Sequence, residues 1–242
     1  GVAQSLQIAT HAYLNNDIVS RATAVRGASF YLKPSRRGSF LFEIVTVIEQ
    51  YPVTVSLGVL AAPKFYDFIK LAFNKATGLF NGEPETSYVQ KLLERDEPFF
   101  DELGETLEGS LQRAHRPIGD DVTTISIERP RSGLVVFDQD TQDWVNTRDE
   151  MPYEEIITGN VTRFNSVTRN GRIYVDQLQK IVPFKLDIDF PIATVGLLTW
   201  SLHGSNTELP KKLELKARHV RSAHGQTKRI LLAECKRIEE EP

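Results

Sequence analysis

Five histidines and one cysteine are the residues of this chain best suited to metal or nucleophile chemistry. Their spacing supports neither. His11, His115, His203, His219 and His224 form no HExxH pair, and a lone Cys235 cannot supply a cysteine pair, so a zinc site has no ligand set. The chain has no G-x-S-x-G elbow, P-loop or Rossmann glycine run. Cys235 closes the apolar stretch LLAEC and reads as a buried structural thiol. AHRPIGDD (114–121) sets His115 near Asp120 and Asp121. With no nucleophile beside them, these residues read as a helix-ending loop, with a His115–Asp120 hydrolase dyad as the remaining alternative. DQDTQDWVNTRD (138–149) places Asp138, Asp140 and Gln142 at odd positions, as a calcium loop does. Asp143 stands where that loop needs glycine, and Asp149 where it uses a bidentate glutamate, so a solvated turn is the expectation over weak ion binding. No catalytic residue, metal ligand or cofactor is assigned, and the balance is against an enzyme.

Charge carries more information. Between 211 and 237 stand Lys211, Lys212, Lys216, Arg218, Arg221, Lys228, Arg229, Lys236 and Arg237, against only Glu214 and Glu234. A second basic stretch, GNVTRFNSVTRNGRIYV (159–175), carries Arg163, Arg169 and Arg172 and no acid. It alternates like a hairpin, with Asn170-Gly171 as the expected tight turn. Arg163, Arg169, Arg172, Arg218, Arg221, His224 and Lys228 are therefore the candidate contacts for a nucleic acid or an acidic partner surface. Strand edges protected by exposed lysines would produce the same run. The segment 94–108 holds Glu94, Asp96, Glu97, Asp101, Glu102, Glu105 and Glu108, an acidic surface on which a basic face can dock within one chain or between copies.

The elements that must position these residues follow from periodicity. The chain has 242 residues, 40% hydrophobic and 25% charged, with net charge −3, which is ordinary globular composition. One cysteine excludes an intrachain disulfide and fits a reducing, cytoplasmic setting. No basic, then apolar, leader opens the chain, and Gly1 in place of a start methionine is expected from a processed or trimmed end. The most apolar window, 55–73, is interrupted by Pro63, Lys64, Asp67 and Lys70, so no membrane span is expected.

Helical spacing of Val2, Leu6, Ala9 and Tyr13 predicts a first helix ended by Asn15-Asn16-Asp17. Strands over 28–32 and 39–48 follow, then a helix over 62–76 stopped by Gly78. A helical region over 85–113 should bend or break near Pro98, with Phe100, Leu103, Leu107 and Leu111 as its apolar stripe. Stretches 122–130 and 133–140 read as a hairpin.

Beyond TRDEMP the charge changes sign: residues 151–242 hold fourteen Lys/Arg against eleven acids, the remainder fifteen against twenty-one. The second part reads as strands 155–164, 171–175 and 181–186, a helix 192–202, then strands 212–220 and 226–235. Three strands, a helix and two strands is the order of an OB barrel. The expected fold class is α+β: a mixed strand/helix domain over 1–150, then a small five-stranded OB-like β-barrel over 151–242. In that fold the loops between strands 1 and 2 and strands 4 and 5 flank the binding face, which is where the two basic stretches fall.

Two resemblances accompany this reading. Gly159, Val161, Phe164, Asn165, Gly171 and Ile173 match the first hairpin of the cold-shock proteins, which are OB barrels. Arg163 replaces that family's tryptophan, and Thr168, Arg169, Asn170 and Arg172 replace the lysine, glycine and ring positions of its second motif. The resemblance implies the barrel hairpin and not the base-stacking ligand. The runs SLQIATHAYLNN, GSFLFEI, KFYDFIKLAFNKATG and LKARHVRSAHGQTKRILLAECKRI look like bacterial proteins known only as domains of unknown function, some among mobile-element or antiphage defence genes. The expectation is a non-enzymatic binding or assembly subunit with a protein partner or a second copy, and a bacterial defence or mobile-element system is the setting that the second resemblance implies. The alternative is a nucleic-acid-binding protein using the basic barrel face through phosphate contacts.

Overall fold

The computed structural model describes residues 1–20, 28–33, 43–48, 55–79, 83–119, 122–129, 132–207, 211–223 and 225–238. The chain divides into two compact units: Gly1–Arg95 with Leu103–Val145, and Asp96–Glu102 with Asn146–Pro242. No helix among the described residues is long and apolar enough to cross a membrane. The fold class is α+β, with a closed five-stranded barrel in the C-terminal part.

The first unit holds α1 (Val2–Asn15), β1 (Ala28–Lys33), β2 (Glu43–Ile48), α2 (Val55–Thr77), α3 (Ser87–Arg95), most of α4 (Glu97–His115), β3 (Ile125–Arg129), β4 (Ser132–Phe137) and most of α5 (Gln139–Asn146). Asn16 ends α1 in the left-handed conformation (φ 50°) that asparagine tolerates. Helix α2 begins earlier than its sequence suggests and contains Pro63, which forfeits one backbone hydrogen bond without ending it. The break expected near Pro98 falls at Asp96. Its carboxylate accepts the Phe99 N–H at 3.2 Å as an N-cap, and Pro98 then sits in the first turn of α4, where its missing donor costs nothing. The stripe of Phe100, Leu103, Leu107 and Leu111 is fully buried.

The DQDTQDWVN stretch is a helix, α5, and not the turn or calcium loop its acids suggest. Asp138 and Thr141 form a reciprocal cap. The Asp138 carboxylate accepts the Thr141 N–H at 3.0 Å, and Thr141 Oγ1 accepts the Asp138 N–H at 2.7 Å. Its carboxylates thus serve a helix start, and no acidic or histidine cluster fit for a metal occurs among the described residues.

The second unit contains β5 (Asp149–Glu150), β6 (Glu155–Asn165), β7 (Asn170–Val175), β8 (Lys180–Leu186), a 3-10 turn (Ile192–Thr194), α6 (Val195–Asn206), β9 (Leu213–Arg221) and β10 (Thr227–Arg237). The barrel closes in the order β6-β7-β8-β10-β9 and back to β6. Every pairing is antiparallel except β8 with β10. This is the OB arrangement anticipated from the element order. Inward positions alternate along each strand: Ile157 and Val161, Ile173 and Val175, Val182 and Phe184, Leu213 and Leu215, Ile230 and Leu232. Cys235 lies in the same core, its thiol pushed up in pKa by burial.

Helix α6 closes the barrel through its small polar residues as well as Leu198. A register shift between Val161 and Arg163 frees the Val161 backbone. The Val161 N–H donates to Ser201 Oγ at 3.1 Å, Ser201 donates to the Lys211 carbonyl at 2.8 Å, and Ser205 donates to the Val161 carbonyl at 2.8 Å. Two serines one turn apart thus satisfy both groups that the bulge exposes.

Candidate nucleic-acid or acidic-partner interface

The arginine hairpin turns one step earlier than its Asn-Gly pair suggests. Asn165 pairs with Asn170, so residues 166–169 make the turn and Asn170-Gly171 open β7. Asn165 Oδ1 accepts the Val167 and Thr168 N–H groups at 3.0 and 3.2 Å, and Arg169 takes the left-handed φ of 61°. Gly171 is required by close approach: a Cβ there would lie 2.5 Å from the Arg163 carbonyl oxygen and from the Phe184 ring. The side-chain amide of the asparagine, not the glycine, organises the turn.

Residues 96–102, the start of α4, belong to the same unit and bring carboxylates onto this hairpin. Arg172 Nη1 lies 2.8 Å from Glu97 Oε1 and 3.0 Å from Asp101 Oδ2, with its side chain only 14% exposed. Asn170 Nδ2 donates to Glu102 Oε2 at 2.8 Å. The acidic segment and the basic hairpin do meet, within one chain. Arg163 faces Arg172 in register, and no ion pair holds Arg163 or Arg169 among the described residues. One Arg169 Nη atom is buried and has no hydrogen-bond partner among the described residues.

The other candidates fall in a second group at β9 and β10. Arg218 pairs with Glu150 at 2.6 Å and also with Asp187, clamping β5 and the end of β8 across β10. The Asp187 hydrogen bond, seconded by the Asp187 and Glu150 charges, raises its pKa. Arg221 lies 3.7 Å from Glu155. Lys228 is buried, and its ammonium donates to the Thr147 carbonyl at 3.4 Å. His224 lies outside the described residues. The neighbouring cations are occupied too, Lys212 by Asp176 and Lys216 by Glu154, each at 2.8 Å. The Glu154 hydrogen bond raises the Lys216 pKa.

Both buried histidines are held neutral. His115 is fully buried in the first unit, its pKa lowered by burial against the opposing Leu111 hydrogen bond. Its Nδ1–H donates to the Leu111 carbonyl at 2.7 Å, so Nε2 meets Thr141 Oγ1 at 3.1 Å as the acceptor. Both ring nitrogens are engaged in structure, and the ring packs on Phe137 at 4.4 Å. Asp120, its expected dyad partner, lies outside the described residues. In the barrel, His219 Nδ1 meets Thr227 Oγ1 at 3.1 Å, and Nε2 lies 3.6 Å from Glu155 Oε2. Burial lowers its pKa, against the Glu155 charge.

A third group escaped sequence reasoning. Trp200 of α6 gathers two cations, Arg237 with Cζ 4.5 Å from the ring centroid and Lys211 with Nζ 5.6 Å from it. Both cations belong to the basic 211–237 stretch, but nothing in the spacing ties residue 200 to 211 and 237.

Residues 154–235, which span the barrel, match a family described as a family of unknown function (DUF7947). That stretch takes in most of the C-terminal run likened above to domains of unknown function and none of the three N-terminal runs. No curated protein and no solved structure matches the chain.

Proposed function

We propose that the barrel is a non-enzymatic protein-binding module within an assembly subunit. The observation that carries this is the chemistry its cations accept. Arg172 is held between two carboxylates, and Arg218, Lys212 and Lys216 each take a carboxylate as well. Positive charge that is already neutralised contributes little to holding a phosphate backbone. A setting in a bacterial defence or mobile-element system belongs to the same proposal.

Nucleic-acid binding through phosphates is the second reading. It is favoured by Arg163 and Arg169, which have no carboxylate partner among the described residues and sit at or near one hairpin tip. Anisotropy of labelled single- and double-stranded oligonucleotides, at about 50 and about 200 mM salt, separates the two. The protein-binding reading expects no salt-sensitive binding, and a partner or second copy in light scattering. Oligonucleotide binding that weakens at least about tenfold with salt, and is lost in an Arg163→Gln/Arg169→Gln variant, would overturn it.

A further inference from the structure

Within the barrel unit, what neutralises a cation differs from place to place. Lys211 and Lys212 are adjacent in sequence, yet Lys212 reaches Asp176 while Lys211 lies against Trp200. Arg237 lies over the same ring. Among the described residues neither Lys211 nor Arg237 is paired with a carboxylate. The stretch from Phe190 to Thr207, which contains α6, has no acidic residue at all.

The site is shaped as well as charged. Trp200 packs against the barrel core. Gly204, one turn on, leaves room for the lysine stem; a Cβ there would meet Lys211 Cγ at 2.8 Å. A guanidinium stacked on an indole keeps its N–H edge free to fork a carboxylate, and the indole pre-orders it. Apolar side chains accompany the cations. Ile238, next to Arg237, is 39% exposed, and Ile192, at the turn that packs on β10, is 82% exposed.

We propose that Trp200, Lys211 and Arg237 form the docking point for an acidic segment of a partner protein that also carries aliphatic side chains. This inference rests on the protein-binding reading above. Two features favour a peptide over a phosphodiester strand. The unit already meets Arg172 with an acidic helical turn, and the exposed isoleucines offer contacts that a phosphate backbone does not use. Stacking of a base is disfavoured because the Arg237 guanidinium occupies the ring.

The test uses the full chain, ¹⁵N-labelled, whose two indole N–H signals belong to Trp144 and Trp200. A Glu/Leu amphipathic peptide of about fifteen residues is titrated in, with oligothymidylate and phosphatidylglycerol vesicles as parallel probes. The Trp200 signal should shift with the peptide while Trp144 stays. A Lys211→Gln/Arg237→Gln variant should weaken binding at least about tenfold, and Arg163→Gln should change it less than about twofold. If the double variant loses its fold by circular dichroism, the wild type itself decides: its affinity should fall at least about tenfold between about 50 and about 300 mM salt. A silent Trp200 signal, or peptide affinity indifferent to both the variant and salt, would overturn the docking point. Peptide binding that depends on Arg163 and Arg169 instead would overturn it while leaving the protein-binding reading standing. A Trp200 response to oligothymidylate alone would remove both, and a response to vesicles alone would assign the patch to a lipid surface.

Discussion

The arginine hairpin and the Trp200 cluster are both cationic parts of one barrel unit, and they are built in opposite ways. At the hairpin, Arg172 is 14% exposed and is held by Glu97 and Asp101, with Asn170 bonded to Glu102 beside it. At the cluster, Arg237 and Lys211 lie against an indole, with no carboxylate on either among the described residues. A cation enclosed by carboxylates contributes to structure and has spent its charge. A cation placed on a ring loses little charge and remains able to bind. Among the described residues, the contrast separates cations held by carboxylates from cations that lie on a ring.

The sharpest way to break this contrast is through one glycine in the hairpin and one on the exposed side of α6. Gly171→Ala drives a methyl into the Arg163 carbonyl and Phe184 ring and should cost about 3 kcal/mol in urea unfolding. Gly196→Ala on α6, where a Cβ meets nothing within 4 Å, should be neutral or stabilising by up to about 1 kcal/mol. Equal effects would mean that the hairpin is not the tightly built region. Next in size is Arg172→Ala, which removes the buried guanidinium that Glu97 and Asp101 share and should cost about 2 kcal/mol, against about 0.5 kcal/mol or less for Lys211→Ala. Comparable losses would erase the distinction between structural and available charge.

Ser201→Ala removes the acceptor of the Val161 N–H and the donor to the Lys211 carbonyl. It should cost about 1–2 kcal/mol, because a buried backbone group is left unsatisfied. It also tests whether the Lys211 main chain is anchored independently of its side chain.

The smallest effect is with pH. His115 and His219 have folded pKa values below the ordinary 6.5, so as pH falls the unfolded chain takes up protons first. Stability is therefore full above about 6.5 and declines as pH drops toward the depressed folded values. His219→Gln should flatten part of that decline, and a slope unchanged in this variant would assign it to His115.

Much of the fold was legible in the sequence. The barrel's strands could be placed to within two residues, since period-2 apolar alternation fails wherever a strand stops facing the core, while α6 starts and ends later than the expected 192–202. The α4 stripe was legible for the corresponding reason at period 3.6. Two local features were misread because a stronger local rule was present than the one applied. Asn165 caps a longer turn that overrides Asn170-Gly171, and the Asp138–Thr141 cap makes a helix start where a solvated turn was expected. Of the candidate site, the residue types and the basic stretches were visible, but their partners were not.

From the sequence alone came the α+β class, the five-strand order, the absence of a metal-ligand or nucleophile motif, and the sign of the charge on each part. These rest on periodicity and composition, which act between residues close along the chain. Only the tertiary structure decided which cations meet carboxylates and which lie on an indole. Glu97 and Arg172 are far apart in sequence, as are Trp200 and Arg237, and such pairs meet only when barrel closure and the docking of the first turn of α4 bring them together. Whether a charge is solvated, paired or stacked is a property of that meeting.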